Sequence, residues 1–282
     1  MFKLLAEMLS YPFLIRAVVV GALVAFCASL LGVSLVLKRY SMIGDGLSHV
    51  GFGALSIATA FHTAPLKVAI PVVVAAAFLL LRLSNNSRIK ADAAIAMIST
   101  GFLAVGAMVI SLTTGMNIDV CNYLFGSILA ISRDDVTLSL VLSFAVIVLY
   151  ILFYPKLFAV TFDENFSRAT GIRAGIYNML LALMTAVIIV LGMRLMGALL
   201  ISSLIIFPAL ASMRVWNSFR SVVISSAVLS VCCFCIGIVF SFVWATPVGA
   251  SVVLVNILAF ILLSAIGYLK ERIRLGCTGV KG

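Results

Sequence analysis

The chain has 282 residues, 64% of them hydrophobic and only 10% charged, and its mean hydropathy is +1.30. A soluble domain carries roughly 25% charged residues, so composition excludes a soluble globular protein and requires a polytopic membrane protein. The net charge of +10 would suit nucleic acid, but the basic residues stand in short clusters between apolar runs. That is the positive-inside pattern of membrane proteins, and no nucleic-acid partner is expected.

A spanning helix needs about 20 apolar residues. Runs of that kind fall at about 13–37, 42–61, 66–83, 92–113, 135–153, 175–193, 195–212, 222–243 and 248–268. Arg194 is the only charge where the sixth run meets the seventh, which suits either a tight hairpin or a broken helix. The predicted architecture is therefore an all-α integral membrane protein, a polytopic bundle of eight to ten transmembrane helices in one domain over residues 1–282. The first run is long enough to span, and no small-residue cleavage site follows a short apolar core, so no signal peptide is expected to be removed. The six cysteines, with Cys232 and Cys235 three apart inside one apolar run, form no framework. They read as small buried hydrophobes, and adjacent helical positions such as Cys232 and Cys233 diverge by about 100°, which is poor for joint ligation.

Basic residues alternate from loop to loop. Lys38 and Arg39 follow the first run, Arg82, Arg88 and Lys90 the third, Lys156, Arg168 and Arg173 the fifth, Arg214 and Arg220 the seventh, and Lys270, Arg272 and Arg274 the last. The loops between are poorer in positive charge. This predicts cytoplasmic odd loops, a cytoplasmic C-terminus and an outside N-terminus, although Lys3 and Arg16 do not favour the outside. The interrupted segment 115–131 is too short to span and suits a re-entrant or interfacial helix, or an ordinary outer loop.

Residues 38–54 carry the chemistry of most interest. Asp45 and His49 stand four apart, one turn on the same helical face, between long apolar runs. A carboxylate and an imidazole inside a membrane are expensive and mark a functional site by default. One oxygen and one nitrogen donor suit Zn²⁺, Mn²⁺ or Fe²⁺. One helix supplies two ligands, and a two-fold dimer would supply four. Gly44, Gly46, Gly51 and Gly53 leave little bulk, so backbones can approach closely. The plainer readings stay open: Asp45 as a helix cap at the interface, and His49 as a core histidine bonded to a carbonyl.

Three further stretches stand out. His62 suits an exposed loop, and Asp119, Asp134 and Asp135 suit solvated or capping roles, or the electrostatic attraction of cations. Phe162, Asp163, Glu164, Phe166 and Arg168 mix both charge signs with aromatic residues, and Gly171 can stop a short helix. That pattern fits either a short amphipathic helix docking to a soluble partner or a plain loop. Pro208 lies inside an apolar run, where it kinks the helix and frees a carbonyl, while Ser202 and Ser203 suit packing or hydrogen bonds between helices. No nucleotide-binding P-loop and no His-Glu metalloprotease motif is present. Uphill movement of a solute would draw its energy from a partner or from an ion gradient.

Ser41-Met42-Ile43-Gly44-Asp45-Gly46-Leu47-Ser48-His49 resembles the signature of permease subunits of the manganese/zinc/iron ATP-binding-cassette importer family. Tyr123-Leu124-Phe125-Gly126, the Phe162–Gly171 stretch, and Gly197 through Pro208-Ala209-Leu210-Ala211 follow in the family's order. The resemblance covers nearly the whole chain. It implies a non-enzymatic permease of the bacterial inner membrane, working as a homodimer in membrane lipid. A cytosolic ATPase that alone binds ATP would serve it, with an extracytoplasmic metal-binding protein delivering the ion. It also implies that Asp45 and His49 contact a transported Zn, Mn or Fe ion along the dimer axis, with no permanent cofactor, and that a coupling segment at about 162–172 docks to the ATPase. Gly46 stands where alanine is usual, and Ser127 replaces a common aspartate, which weakens a metal role for the outer segment. The competing reading is a secondary metal/proton antiporter using the same pair as a relay. An intramembrane hydrolase would need a nucleophile–base set that these residues do not supply.

Overall fold

The computed structural model describes residues 12–85, 91–113 and 133–278. Among them the chain forms ten α-helices and no strand. In chain order these are α1 (Pro12–Leu37), α2 (Ser41–Ala60), α3 (Pro65–Asn85), α4 (Ala91–Thr113), α5 (Arg133–Phe162), α6 (Glu164–Ala169), α7 (Ala174–Met196), α8 (Ala198–Val215), α9 (Phe219–Trp244) and α10 (Val248–Thr278). Eight are long and apolar enough to cross a membrane, all but α2 and α6. Helix α2 has the length, at 20 residues, but its glycines, serines, Asp45 and His49 lower its hydropathy. Each of the nine apolar runs corresponds to a long helix.

Two helices run well past their expected ends, α5 and also α10, which reaches Thr278 rather than 268, and the junction near Arg194 takes the hairpin form, one of the two expected. Helix α5 continues nine residues past the expected 153, through Pro155 and Lys156 to Phe162. Buried Leu157 and Val160 extend its apolar face beyond the proline. Helices α7 and α8 are divided by one residue, Gly197, at φ 89° and ψ 159°, a conformation that side-chain-bearing residues rarely adopt. Gly192 and Ile201 would be about 13 Å apart along a continuous helix. Instead a Cβ at Gly192 would lie 2.4 Å from Ile201 Cδ1, so the chain folds back as a tight hairpin.

Helices α1 and α7 are the most enclosed spans, α5 and α10 the least. Helix α1 lies against α5, α7, α8 and α9, and α2 is held by α3, α4, α7 and α8. Many polar groups inside the bundle bond across helices or back to their own turn, while the hydroxyls of Ser139, Ser143, Ser212 and Ser226 have no hydrogen-bond partner among the described residues. Ser230 Oγ donates to Ala25 O at 2.9 Å, and the Cys27 thiol to Ser143 O at 3.6 Å. Pro208 is buried within α8.

Contacts gather the basic clusters that close or follow α1, α5, α8 and α10 at one end of the bundle. Lys38 meets Glu164, Phe158 and Phe162 pack on Phe219, and Gly267 abuts the Arg214 backbone. The opposite end holds the Arg194–Asp135 pair. This clustering matches the charge asymmetry read from the sequence.

Candidate functional site

Helix α2 is buried along most of its length. In its first three turns only Ser41, Met42, Asp45 and His49 are not buried. Positions 42, 45 and 49 follow helical spacing, so both candidate side chains lie on the one open stripe. The exposed fractions are 52% for the Asp45 side chain and 27% for His49. Ser48 and Ser56 donate to the carbonyls of Gly44 (2.9 Å) and Phe52 (2.8 Å), so the hydroxyl beside His49 is already engaged in its own helix.

Asp45 Oδ2 stands 3.6 Å from His49 Nε2. That exceeds a hydrogen bond between them. Oxygen and nitrogen ligands around a tetrahedral zinc-sized ion stand about 3.4 Å apart, given metal–ligand bonds of about 2.0–2.2 Å, so the pair is spaced to hold a cation. His49 Nδ1 is buried and has no hydrogen-bond partner among the described residues. From α8, the Ser202 hydroxyl lies 3.4 Å from Asp45 Oδ1 and 3.2 Å from Ala198 O. Its single proton serves one acceptor at a time, which leaves its oxygen available beside the carboxylate. Sequence reasoning offered Ser202 for packing or for hydrogen bonds between helices without naming a partner, and 157 positions separate it from Asp45. Among the described residues of one chain, no three His, Cys, Asp or Glu side chains gather into a metal cluster. A single protomer thus offers a carboxylate, an imidazole and a hydroxyl.

The small residues of α2 are used inside the protomer. A Cβ at Gly44 would lie 3.3 Å from Ile205 Cδ1, at Gly46 2.6 Å from Ile95 Cγ2, and at Gly51 2.8 Å from Met193 Cε. At Gly53 it would lie 2.6 Å from the Phe102 carbonyl oxygen. These glycines let α4, α7 and α8 close around α2, so they are not by themselves evidence of a two-fold axis.

A second locus lies where the basic loops gather. The stretch read as a helix or loop is the six-residue α6. Asp163 caps it by accepting from Phe166 N at 2.9 Å, and Gly171 follows at φ 85°. Phe162 and Phe166 are exposed, while Ser167 is buried and donates to Asp163 O at 2.7 Å. Glu164 accepts from Arg168 at 2.6 Å and from Asn178 Nδ2 at 3.0 Å, and pairs with Lys38 Nζ at 3.8 Å. Burial works against the charge of Glu164, yet the Asn178 and Arg168 hydrogen bonds and the nearby cations hold its pKa below the usual glutamate range.

The remaining candidates stand apart. His62 is exposed just past α2. Asp134 and Asp135 occupy the first turn of α5, where acids suit the helix dipole, and Asp135 Oδ2 accepts from Arg194 at 3.2 Å. Cys27, Cys232, Cys233 and Cys235 are free thiols. Asp119 and segment 115–131 lie outside the described residues.

Comparison with known proteins bears on this arrangement. The model of the ABC 3 transport family matches residues 10–267. The chain is 30% identical to the manganese transport system membrane protein MntC of Halalkalibacterium halodurans over 249 residues, 88% of this chain and 85% of that one. It is 27% identical to a probable iron transport system membrane protein of Haemophilus influenzae, covering 93% and 92% of the two chains. The solved PsaBC from Streptococcus pneumoniae in complex with Fab superposes with a TM-score of 0.83 at 26% identity, over 93% of this chain and 94% of that one.

Proposed function

The chain belongs to the ABC 3 transport family, and on that premise we propose that it is the permease subunit of an ATP-driven importer of a divalent transition metal. The relatives named for manganese and iron support those two ions, and the Asp45/His49 donor set suits zinc as well. The observation that carries the reading is the open stripe of α2, where Asp45 Oδ2 and His49 Nε2 stand 3.6 Å apart beside Ser202.

A carboxylate on an outward stripe at membrane depth is costly against lipid. Two copies related by a two-fold axis would turn these stripes toward each other and supply two carboxylates and two imidazoles. The ion would rest between them while ATP binding on a cytosolic partner switches access from one side to the other. Incomplete ligation in each copy suits a site that must release its cargo. Protonation of His49 or Asp45 would compete with the ion.

On this reading α6 docks to the ATPase through Phe162 and Phe166, with Asp163 capping the helix, Glu164 and Arg168 bracing it, and Gly171 ending it. The loops that carry the basic residues and the C-terminus then face the cytoplasm of the inner membrane. An extracytoplasmic binding protein delivers the ion from the other side. The likeness to ABC importer permeases leaves the antiporter reading without an observation in its favour.

The test is uptake of isotopically labelled Mn²⁺, Fe²⁺ and Zn²⁺ by proteoliposomes holding the permease with its ATPase. Asp45→Ala and His49→Ala should abolish uptake while membrane insertion persists. Accumulation at the parental rate in either variant would remove the site from the pathway.

A further inference from the structure

Lys38 was placed by its position after an apolar run, as one of the charges that set topology. Its surroundings are unusual for that role. The side chain is 7% exposed, and its ammonium donates to Asn178 Oδ1 and lies 3.8 Å from Glu164 Oε2. Asn178 is itself 8% exposed and donates its amide nitrogen to the same Glu164 oxygen at 3.0 Å. A cation on its oxygen side and an anion on its nitrogen side leave the amide one orientation. Three elements meet in this cluster: the end of α1, the short helix α6, and the second turn of α7. Burial lowers the Lys38 pKa against the opposing pull of Glu164.

The connection from Lys38 to the metal pair is short and stiff. Only residues 38–40 separate α1 from α2. Within them Arg39 sits at φ 60°, and Tyr40 N donates to Leu35 O at 2.8 Å. Asp45 lies one turn into α2, about 6 Å along the axis from Ser41. A displacement of α6 that carries Glu164 therefore pulls on the pivot of α2 through Lys38. It also pulls on α7 through Asn178, and α7 leads through the Gly197 hairpin to Ser202.

Stability alone does not call for such a tie. An ion pair with an enclosed lysine and a glutamate 31% exposed usually contributes no more than well-packed apolar residues of the same volume. What it adds is directional geometry, lost as soon as one member moves.

We propose that Lys38, Asn178 and Glu164 form a positioning tie that transmits movement of the α6 docking helix to the Asp45/His49 site. This rests on the functional reading above, since it needs both a docked ATPase and a transported ion.

The experiment uses the full permease–ATPase complex in proteoliposomes and reads Mn²⁺ moved per ATP hydrolysed. Partial misfolding lowers both quantities together and leaves their ratio unchanged, so the ratio isolates coupling. Lys38→Met should lower it about tenfold, within the range of coupling changes caused by residues that touch neither ligand. Lys38→Arg should keep most of it. The double variant Lys38→Met/Glu164→Gln should fall no lower than Lys38→Met, because one tie can be cut only once. If Lys38→Met does not assemble, Asn178→Ala keeps both charges and should lower the same ratio. A parental ratio in Lys38→Met or Asn178→Ala overturns the proposal, as do single-variant losses that multiply in the double variant. A parental complex that moves no Mn²⁺, Fe²⁺ or Zn²⁺ instead overturns the functional reading, and the tie with it.

Discussion

Replacing Gly32 with alanine tests whether the close approach of α1 and α8 sets the site. A Cβ on Gly32 would stand 2.0 Å from the Ile205 carbonyl oxygen and 2.9 Å from its carbonyl carbon. Even a favourable carbon–oxygen contact needs about 3.3 Å, so the helices must part by roughly 1.3 Å. The obstacle is backbone, which no rotamer change can move aside. Overpacking typically costs about 1–3 kcal/mol, and the rigid obstacle puts this case at the upper end. At roughly 2–4 °C per kcal/mol for a chain of this order of size, the melting temperature in detergent should fall by about 6–12 °C. Ile205 also lies against Gly44, and Ser202 stands one turn earlier in α8. Metal uptake by the surviving folded fraction should therefore fall as well. Gly101→Ala is the matched control: nothing lies within 4 Å of its Cβ position, and its only expected change is a helix-propensity gain of up to about 1 kcal/mol. If Gly32→Ala melts and transports like Gly101→Ala, the argument from helix contact is wrong.

Three other outcomes follow from the same geometry. Ser202→Ala should reduce uptake about two- to tenfold without changing membrane insertion, the scale of losing one weak hydrogen-bond donor or ligand; an unchanged apparent affinity for Mn²⁺ would leave Ser202 to packing alone. Because the Glu164 pKa is depressed in the fold, its charge stabilises the protein above the ordinary glutamate range, and that stability is lost as pH falls through the lowered folded-state pKa. The melting difference between parental protein and Glu164→Gln should be full near neutrality and close in acid, and a pH-independent difference would contradict this. Arg194→Met should destabilise more than the double variant Arg194→Met/Asp135→Asn, since the single change removes the cation that faces a carboxylate only 15% exposed; equal or additive losses in thermal melts would show that the two do not act as a pair.

The helices were legible because lipid imposes one length and one composition on anything that spans it. Their ends were less so. The apolar run ends at 153 and leaves Lys156 to a loop, yet α5 carries its buried face past Pro155 and Lys156 to Phe162. The hairpin at Gly197 could be suspected from Arg194, but a periodic apolar pattern has no sign for one residue at positive φ. Helix α2 is less apolar than the eight helices fit to span, and its neighbours identify it better than its own composition.

The site divides along the same line. Asp45 and His49 were readable as a pair because four residues is one turn, a local fact. Ser202 was not, because only the fold brings α8 to α2. The glycines of α2 announce that backbones come close without saying which backbone: Gly46 meets Ile95 and Gly53 meets Phe102, both within the same chain. Lys38 is the sharpest case. In one dimension it is a cation at the edge of a span, equivalent to Arg39 beside it. In three, Arg39 turns to positive φ and Lys38 is enclosed by Asn178 and Glu164. Sequence distance hides that difference because the partners lie 140 and 126 positions away. A charge pattern can therefore set which side of the membrane a loop occupies, while the burial of a single lysine in that loop sets what the loop can pull on.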